Sequence, residues 1–366
     1  MRSGGAVVAT IEARTIRKIQ IRIIPFLLLL YFVAYLDRIN IGFAALTMNQ
    51  ELGITNRQFG MLAGIFFLGY FLFEIPSNLL LHRIGARIWI ARILLTWGIL
   101  ATLCGLVQTV GQLYVARFLL GAAEAGFFPG VVLYLTYWFR TRERACAIAL
   151  FLIGLPATTV LGAPLTGFIL DQAHWLGVSS WRWVLILEGI PAVICGALSY
   201  FVLPARPAEA AFLAPAERQW IVNELIREED GKAQQLRLSA LATLVSPRLW
   251  FLVLIYFGMM FGLYTLTFWA PQLIRALSAD NSNSFVGFLV MIPNAVGLGA
   301  MILVSRHSDR TLERRWHAGD LCHAGGRCLC VSELHTFGIC TFVYCSSVLC
   351  CCWNLQLPRP LLVLTV

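Results

Sequence analysis

Arg117-Phe118-Leu119-Leu120-Gly121-Ala122-Ala123-Glu124-Ala125-Gly126 lies inside an apolar run from about 113 to 138. Such a run is long enough to cross a bilayer, which takes about 20 predominantly apolar residues as a helix. Yet it carries a fixed cation and a carboxylate. A charge at mid-membrane costs about 2.5–3.5 kcal/mol on insertion scales, so it faces a cavity or a partner, and a functional role is its default reading. Arg117 and Glu124 are seven positions apart. That spacing puts them nearly on one helical face, about 10 Å apart along the axis. Gly121 lies on the same side and is expected to leave room between them.

Similar runs occupy about 23–45, 58–81, 88–110, 145–170, 183–203, 249–274 and 283–305, eight in all with the first. They do not alternate with period two, as barrel strands must. Composition agrees: 59% of the 366 residues are apolar and 13% charged, against roughly 25% charged in an ordinary soluble domain. The mean hydropathy is +0.76. A soluble enzyme, a disordered chain and a secreted disulfide scaffold are all poor fits. The expected fold class is an all-α polytopic membrane protein. A signal peptide is not expected, because the first run is too long and carries Asp37 and Arg38.

The net charge of +9 comes almost entirely from Arg, with Lys18 and Lys232 the only lysines. The basic residues stand in short groups: the N-terminal tail, then Arg83 and Arg87, Arg140 to Arg144, and Arg306 to Arg315. They alternate with nearly balanced loops. This is the positive-inside pattern, so a multi-pass protein of the inner (plasma) membrane with a cytoplasmic N-terminus is expected. Nucleic-acid binding is not expected, since it needs the basic residues gathered on one face. Trp181 and Trp183 flank Arg182 as interface aromatics do. Cys104, Cys146 and Cys195 read as small buried hydrophobes.

Residues 1–203 read as a six-helix bundle, 204–248 as a solvated cytoplasmic linker, and 249–317 as a partial second bundle. Within the linker, Ala216 to Glu229 can form an amphipathic helix with Trp220, Ile221 and Leu225 on one side. Short basic turns after the second span of each part, Arg83 to Arg87 and Arg310 to Arg315, suggest two repeated halves. Parallel six-span repeats are a transporter signature.

Few charges lie deep in the spans: Asp37 and Arg38, Glu74, Arg117, Glu124 and Glu188. Arg is always protonated and binds carboxylates bidentately. An acid in a low-dielectric cavity can take and release a proton near neutral pH. Together they are the equipment for moving an organic anion with a proton. The alternative is internal ion pairing that only holds the bundle together. Glu74 and Glu188 stand nearer span ends, beside Pro76 and Pro191, and read as structural.

Tyr35-Leu36-Asp37-Arg38-Ile39-Asn40 with Ala44 resembles the first-span signature of the anion:cation symporter family in the major facilitator superfamily. Gly69-Tyr70 through Glu74-Ile75-Pro76-Ser77-Asn78, then Arg83 to Arg87, is similar to that family's second span and loop. Arg117 to Gly126 with Pro129 resembles its fourth span, and Gly162-Ala163-Pro164 with Gly167 its fifth. Trp181-Arg182-Trp183, Glu188-Gly189-Ile190-Pro191 and Phe268-Trp269-Ala270-Pro271 add to the likeness, which runs from about 20 to 317. The resemblance implies a twelve-span rocker-switch transporter that imports carboxylates with protons. It implies Asp37 and Glu124 as proton sites, Arg38 and Arg117 as anion-binding or gating cations, and Tyr35 and Tyr70 as cavity lining. In the second-span loop, His82 and Ala86 replace the superfamily's usual acid and base. Leu155 stands where sugar-acid carriers often have an amide, which leans away from a highly hydroxylated substrate.

The likeness stops near Arg315-Trp316-His317, and eight cysteines follow between Cys322 and Cys352. A frame shift in the gene accounts for 318–366 better than an evolved domain. Only about 336–353 could form a poor ninth span, and transport is expected to be impaired. The spacing of Cys322, His323, Cys328, Cys330 and His335 lacks paired Cys-x-x-Cys units, so no metal site and no cofactor are expected. Catalytic and phosphate-loop motifs are absent, so an enzyme is not expected. The expected partners are a small organic anion, protons and the bilayer, with the chain a monomer. A drug or cation exporter on the same fold, and a non-transporting membrane sensor, remain as rivals.

Overall fold

The structure, a computed structural model, describes residues 2–233, 246–277 and 281–311. These form helices α1 (Arg2–Glu51), α2 (Asn56–Ile84), α3 (Ala86–Cys104), α4 (Val110–Glu124), α5 (Phe127–Thr136) and α6 (Thr141–Leu152). They continue as α7 (Gly154–Gln172), α8 (Ser180–Val202), α9 (Pro215–Ala233), α10 (Pro247–Leu277) and α11 (Asn283–Thr311). Among the described residues there is no strand, and eight helical segments are long and apolar enough to cross a membrane. The protein is an all-α polytopic membrane protein with six spans before the linker and two after it among the described residues. The aberrant tail and the poor ninth span expected at 318–366 lie outside the described residues.

Two spans are each built from two helices. The fourth joins α4 to α5 through Ala125 and Gly126, where Gly126 takes φ 86°. That left-handed backbone is costly for any residue with a Cβ. The break strands carbonyls that lipid cannot satisfy. Ser77 of α2 donates to the Ala125 carbonyl at 2.6 Å, and Trp89 of α3 donates to Ser77 Oγ at 2.9 Å. The Ser77 and Gly126 positions therefore act together. They leave Glu124 as the last residue of α4.

The third span ends at Cys104, short of the expected 110. Leu106 and Val107 are apolar but not helical. The next helix starts from a reciprocal cap, in which Thr109 Oγ1 accepts from Gln112 N and the Gln112 side chain accepts from Thr109 N. Trp181 is a correction of another kind. It is fully buried, its indole donates to Glu51 Oε2 at 2.8 Å, and Arg182 lies over its ring, so it is a packing residue and not an interface aromatic. Cys104 and Cys195 are buried as expected, whereas Cys146 is exposed.

The linker helix α9 is not simply solvated. Ile221 is fully buried, with Trp220 and Leu225 packed beside it. Glu217 accepts from Lys18 Nζ at 2.8 and 2.7 Å, and Arg14 lies 3.3 Å away. Arg140 bridges Glu12 (2.6 Å), Glu143 (2.5 Å) and Glu224 (3.5 Å) beneath the Trp220 ring. Arg87 reaches the Tyr200 carbonyl. The tail, the 82–87 and 140–144 loops and α9 thus share one end of the molecule.

The halves meet at the opposite end. Asp171, near the end of α7, accepts from Asn283 N (3.0 Å), Asn283 Nδ2 (2.8 Å), Ser284 N (2.7 Å) and Ser284 Oγ (2.6 Å). Ser282 Oγ accepts from Phe285 N, and the Ser282 carbonyl from Val286 N. All four leading N–H groups of α11 are therefore satisfied, two of them by a carboxylate from the other half.

Candidate substrate and proton site

Arg38 sits on α1 and turns toward α4. Its Nε and Nη2 donate to Glu124 Oε1 at 3.0 and 2.5 Å, and its Nη1 donates to Tyr264 OH of α10 at 2.8 Å. Its guanidinium carbon is 5.3 Å from the Tyr70 ring centroid and 5.7 Å from that of Phe66. Arg117 lies 5.0 Å from the same Phe66 ring. Arg117 and Glu124 are each 1% exposed. Four of the six expected site residues, Arg38, Tyr70, Arg117 and Glu124, are thus brought together from α1, α2 and α4.

Pairing in this group is incomplete. Glu124 Oε1 holds both Arg38 contacts, while Glu124 Oε2 is buried without a hydrogen-bond partner. Arg117 Nε is also buried without one, and among the described residues Arg117 makes no ion pair. One guanidinium thus holds the carboxylate, and the other has none of its own. A buried cation without a full partner is expensive, so the arrangement suits a further anion.

Gly121 does not provide the expected space. A Cβ there would lie 2.0 Å from the Phe66 carbonyl oxygen, and one at Gly69 would lie 2.3 Å from the Phe118 carbonyl oxygen. The two glycines let the α2 and α4 backbones touch, and that contact places Phe66 beneath both arginines.

Asp37 goes elsewhere. Its Oδ2 accepts from Trp97 Nε1 of α3 at 3.0 Å and its Oδ1 from Asn40 Nδ2 at 3.2 Å. It is 2% exposed and points into the first bundle, away from Arg38. Tyr35 is also 2% exposed and packs with Leu36 and Ile39 against Phe32 and Leu155, beside the site and not at its centre.

One residue escaped the sequence reading, and one lies deeper than expected. Tyr264 completes the Arg38 shell from the second half; its signal was a hydroxyl on the helix that bears Phe268 and Trp269. Glu188, read as structural and near a span end, is 2% exposed within α8, where Thr166 contacts it at 2.6 Å. Among the described residues, no group of His, Cys, Asp and Glu could hold a metal ion.

The family model described as Major Facilitator Superfamily matches residues 27–355, past the point near 317 where the motif likeness ends. A proposed tartrate transporter of Agrobacterium vitis is 49% identical over 321 residues, 88% of this chain and 71% of that protein. A quinolone resistance transporter of Acinetobacter baumannii is 37% identical over 317 residues, 87% of this chain and 73% of that one. Among solved structures, a bacterial homologue of the human lysosomal transporter Spinster, inward-facing and occupied, superposes with a TM-score of 0.70. That likeness covers 94% of this chain and 76% of the other at 18% identity.

Proposed function

Because the chain belongs to the major facilitator superfamily and is a multi-pass membrane transporter by kinship, we propose that it imports an organic anion, a carboxylate, with protons by alternating access. The observation that carries this reading is the half-satisfied Arg38–Glu124 pair beside unpaired Arg117. Protonating Glu124 discharges the pair and releases Arg38 for bidentate contact with a carboxylate. Arg117 supplies the second positive charge. Loss of the proton restores the pair and displaces the anion. Asp37 is the second proton site of this reading, and Tyr70 and Tyr35 line the path.

The likeness to a proposed tartrate transporter supports a small carboxylate as cargo. The basic end faces the cytoplasm by the positive-inside rule. The Asp171 contacts then lie on the outer side, where they join the two halves. The protein works as a monomer in the inner membrane.

The quinolone resistance relative favours a second reading, a drug exporter. Two guanidiniums at the site, Arg117 fully buried and Arg38 largely so, disfavour cationic cargo. Thermal unfolding of the purified chain against carboxylic acids, tartrate first, and cationic drugs separates the two. The expected result is stabilisation by a carboxylate that strengthens as pH falls, because only protonated Glu124 yields Arg38. Glu124→Gln should keep the stabilisation and lose its pH dependence, and Arg117→Ala should abolish it while membrane insertion survives. Stabilisation by cationic drugs alone would sink the carboxylate reading.

A further inference from the structure

Glu188 lies outside the site just described, in a cluster drawn from four helices. Thr166 Oγ1 of α7 is 2.6 Å from Glu188 Oε1 and 2.9 Å from the Gly162 carbonyl oxygen. A hydroxyl has one proton to give, and a carbonyl can only accept. An ionised Glu188 could also only accept, leaving Thr166 able to serve one of the two oxygens. A protonated Glu188 donates to Thr166, which donates on to Gly162, and both close contacts become hydrogen bonds.

The other side of the cluster is equally short of donors. Asn40 of α1 lies near Glu188 but donates to Asp37 Oδ1 at 3.2 Å. Glu188 Oε2 and Asn40 Oδ1 are both buried without a partner. The donors at hand are Trp97 Nε1, the Asn40 amide and the single Thr166 hydroxyl. The acceptors are four carboxylate oxygens and the Asn40 oxygen, the Gly162 carbonyl being already bonded to the Thr166 N–H within its helix. One added proton relieves the deficit.

Among the described residues neither Asp37 nor Glu188 makes an ion pair. The other ionisable groups near the cluster are Cys104 of α3, close to Asp37, and Arg117 of α4 beyond it. Glu124 also lies close enough to feel Asp37. Two bare carboxylates in a dry interior repel strongly. Their surroundings differ: Asp37 accepts from two N–H donors, whereas Glu188 meets a hydroxyl that is already engaged. Such divergent environments separate an acid from a base.

We propose that Glu188 is a further proton-binding site, carrying the proton in the described state, whereas the neighbouring Asp37 is held by N–H donors from Trp97 and Asn40. Its use in transport rests on the proton-coupled reading above. Thr166 adjoins Gly167, where a Cβ would lie 2.4 Å from the Asn283 carbonyl oxygen of the second half. Rocking of the halves moves α7 against α11 and so bears on the hydroxyl that accepts the hydrogen bond of this proton.

Infrared spectra of the full chain in lipid at neutral pH test the assignment. The expected spectrum has a deuterium-sensitive carbonyl band of a protonated carboxyl. It disappears in Glu188→Gln, persists in Glu124→Gln and shifts in Thr166→Val, where its acceptor is gone. No such band, or a band indifferent to Glu188→Gln, would overturn the proposal. If Glu188→Gln does not fold, Thr166→Val decides alone, and an unshifted band is then fatal. The proton-coupled reading fails separately, by carboxylate binding indifferent to pH in a wild-type chain that retains the Glu188 band.

Discussion

Replacing Asp171 by Ala removes the cap that the first half places on α11. Four hydrogen bonds of 2.6–3.0 Å end on this carboxylate, two of them from the α11 backbone. Hydrogen bonds to a charged acceptor contribute about 1.5–3 kcal/mol each at full strength. Replacing an N-cap acceptor by Ala costs about 0.5–2 kcal/mol. Asp171 stands partly exposed at the rim, so water replaces part of what is lost, and about 2 kcal/mol is the working figure. With about 1.4 kcal/mol to a factor of ten, the open population of the α11 start rises about 30-fold. Hydrogen exchange read by mass spectrometry reports that opening directly. Exchange should accelerate by that order at the Asn283 to Val286 amides and along the facing end of α7. It should stay unchanged in α2 and α3, which share no contact with the cap. Unaltered exchange at Asn283 to Val286 would show that the carboxylate does not hold the halves together. Equal acceleration throughout would show general destabilisation instead of a lost latch.

Gly121→Ala places a Cβ 2.0 Å from the Phe66 carbonyl oxygen. Overpacking of this kind costs about 1–3 kcal/mol, so the unfolding temperature in detergent should fall, whereas Gly64→Ala, which meets nothing within 4 Å, should not lower it; equal melting of the two would remove the close α2–α4 contact from the account. At the basic end, burial works against the charge of Glu217. The Lys18 hydrogen bond, the Ala214 N–H and the Lys18 and Arg14 charges outweigh it and hold the carboxyl below its usual range. A lowered folded value means this contribution is complete above the ordinary carboxylate range and fades as pH falls through the lower one. Fluorescence of the native tryptophans, Trp220 included, should report α9 loosening only in that acid limb, and Glu217→Gln should flatten it; an unchanged acid limb in the variant would assign the transition to another group.

The spans were readable from the chain because transfer into lipid is a local free energy, summed over neighbouring residues. Eight runs were expected and eight such helices are found among the described residues. The same locality exposed Arg38, Arg117 and Glu124, since a charge inside such a run stands out without any knowledge of its partner. Helix ends were less secure, as Leu106 and Val107 show: apolarity does not make a helix, and the cap at Thr109 moved the boundary.

Partnership was beyond the sequence. Asp37 and Arg38 are adjacent, but roughly 100° of helical turn separates their side chains, and they serve different clusters. Arg38 reaches Glu124, 86 positions away, and Tyr264 in the other half. Glu188 gained its meaning only when α1, α7 and α8 brought Asn40, Thr166 and Asp37 around it. Gly121 was read as leaving room, and the α2 backbone fills that room. Hydropathy and capping act within a few residues along the chain. Which charge meets which depends on the faces that helices turn to one another, and those are set by packing across the whole bundle.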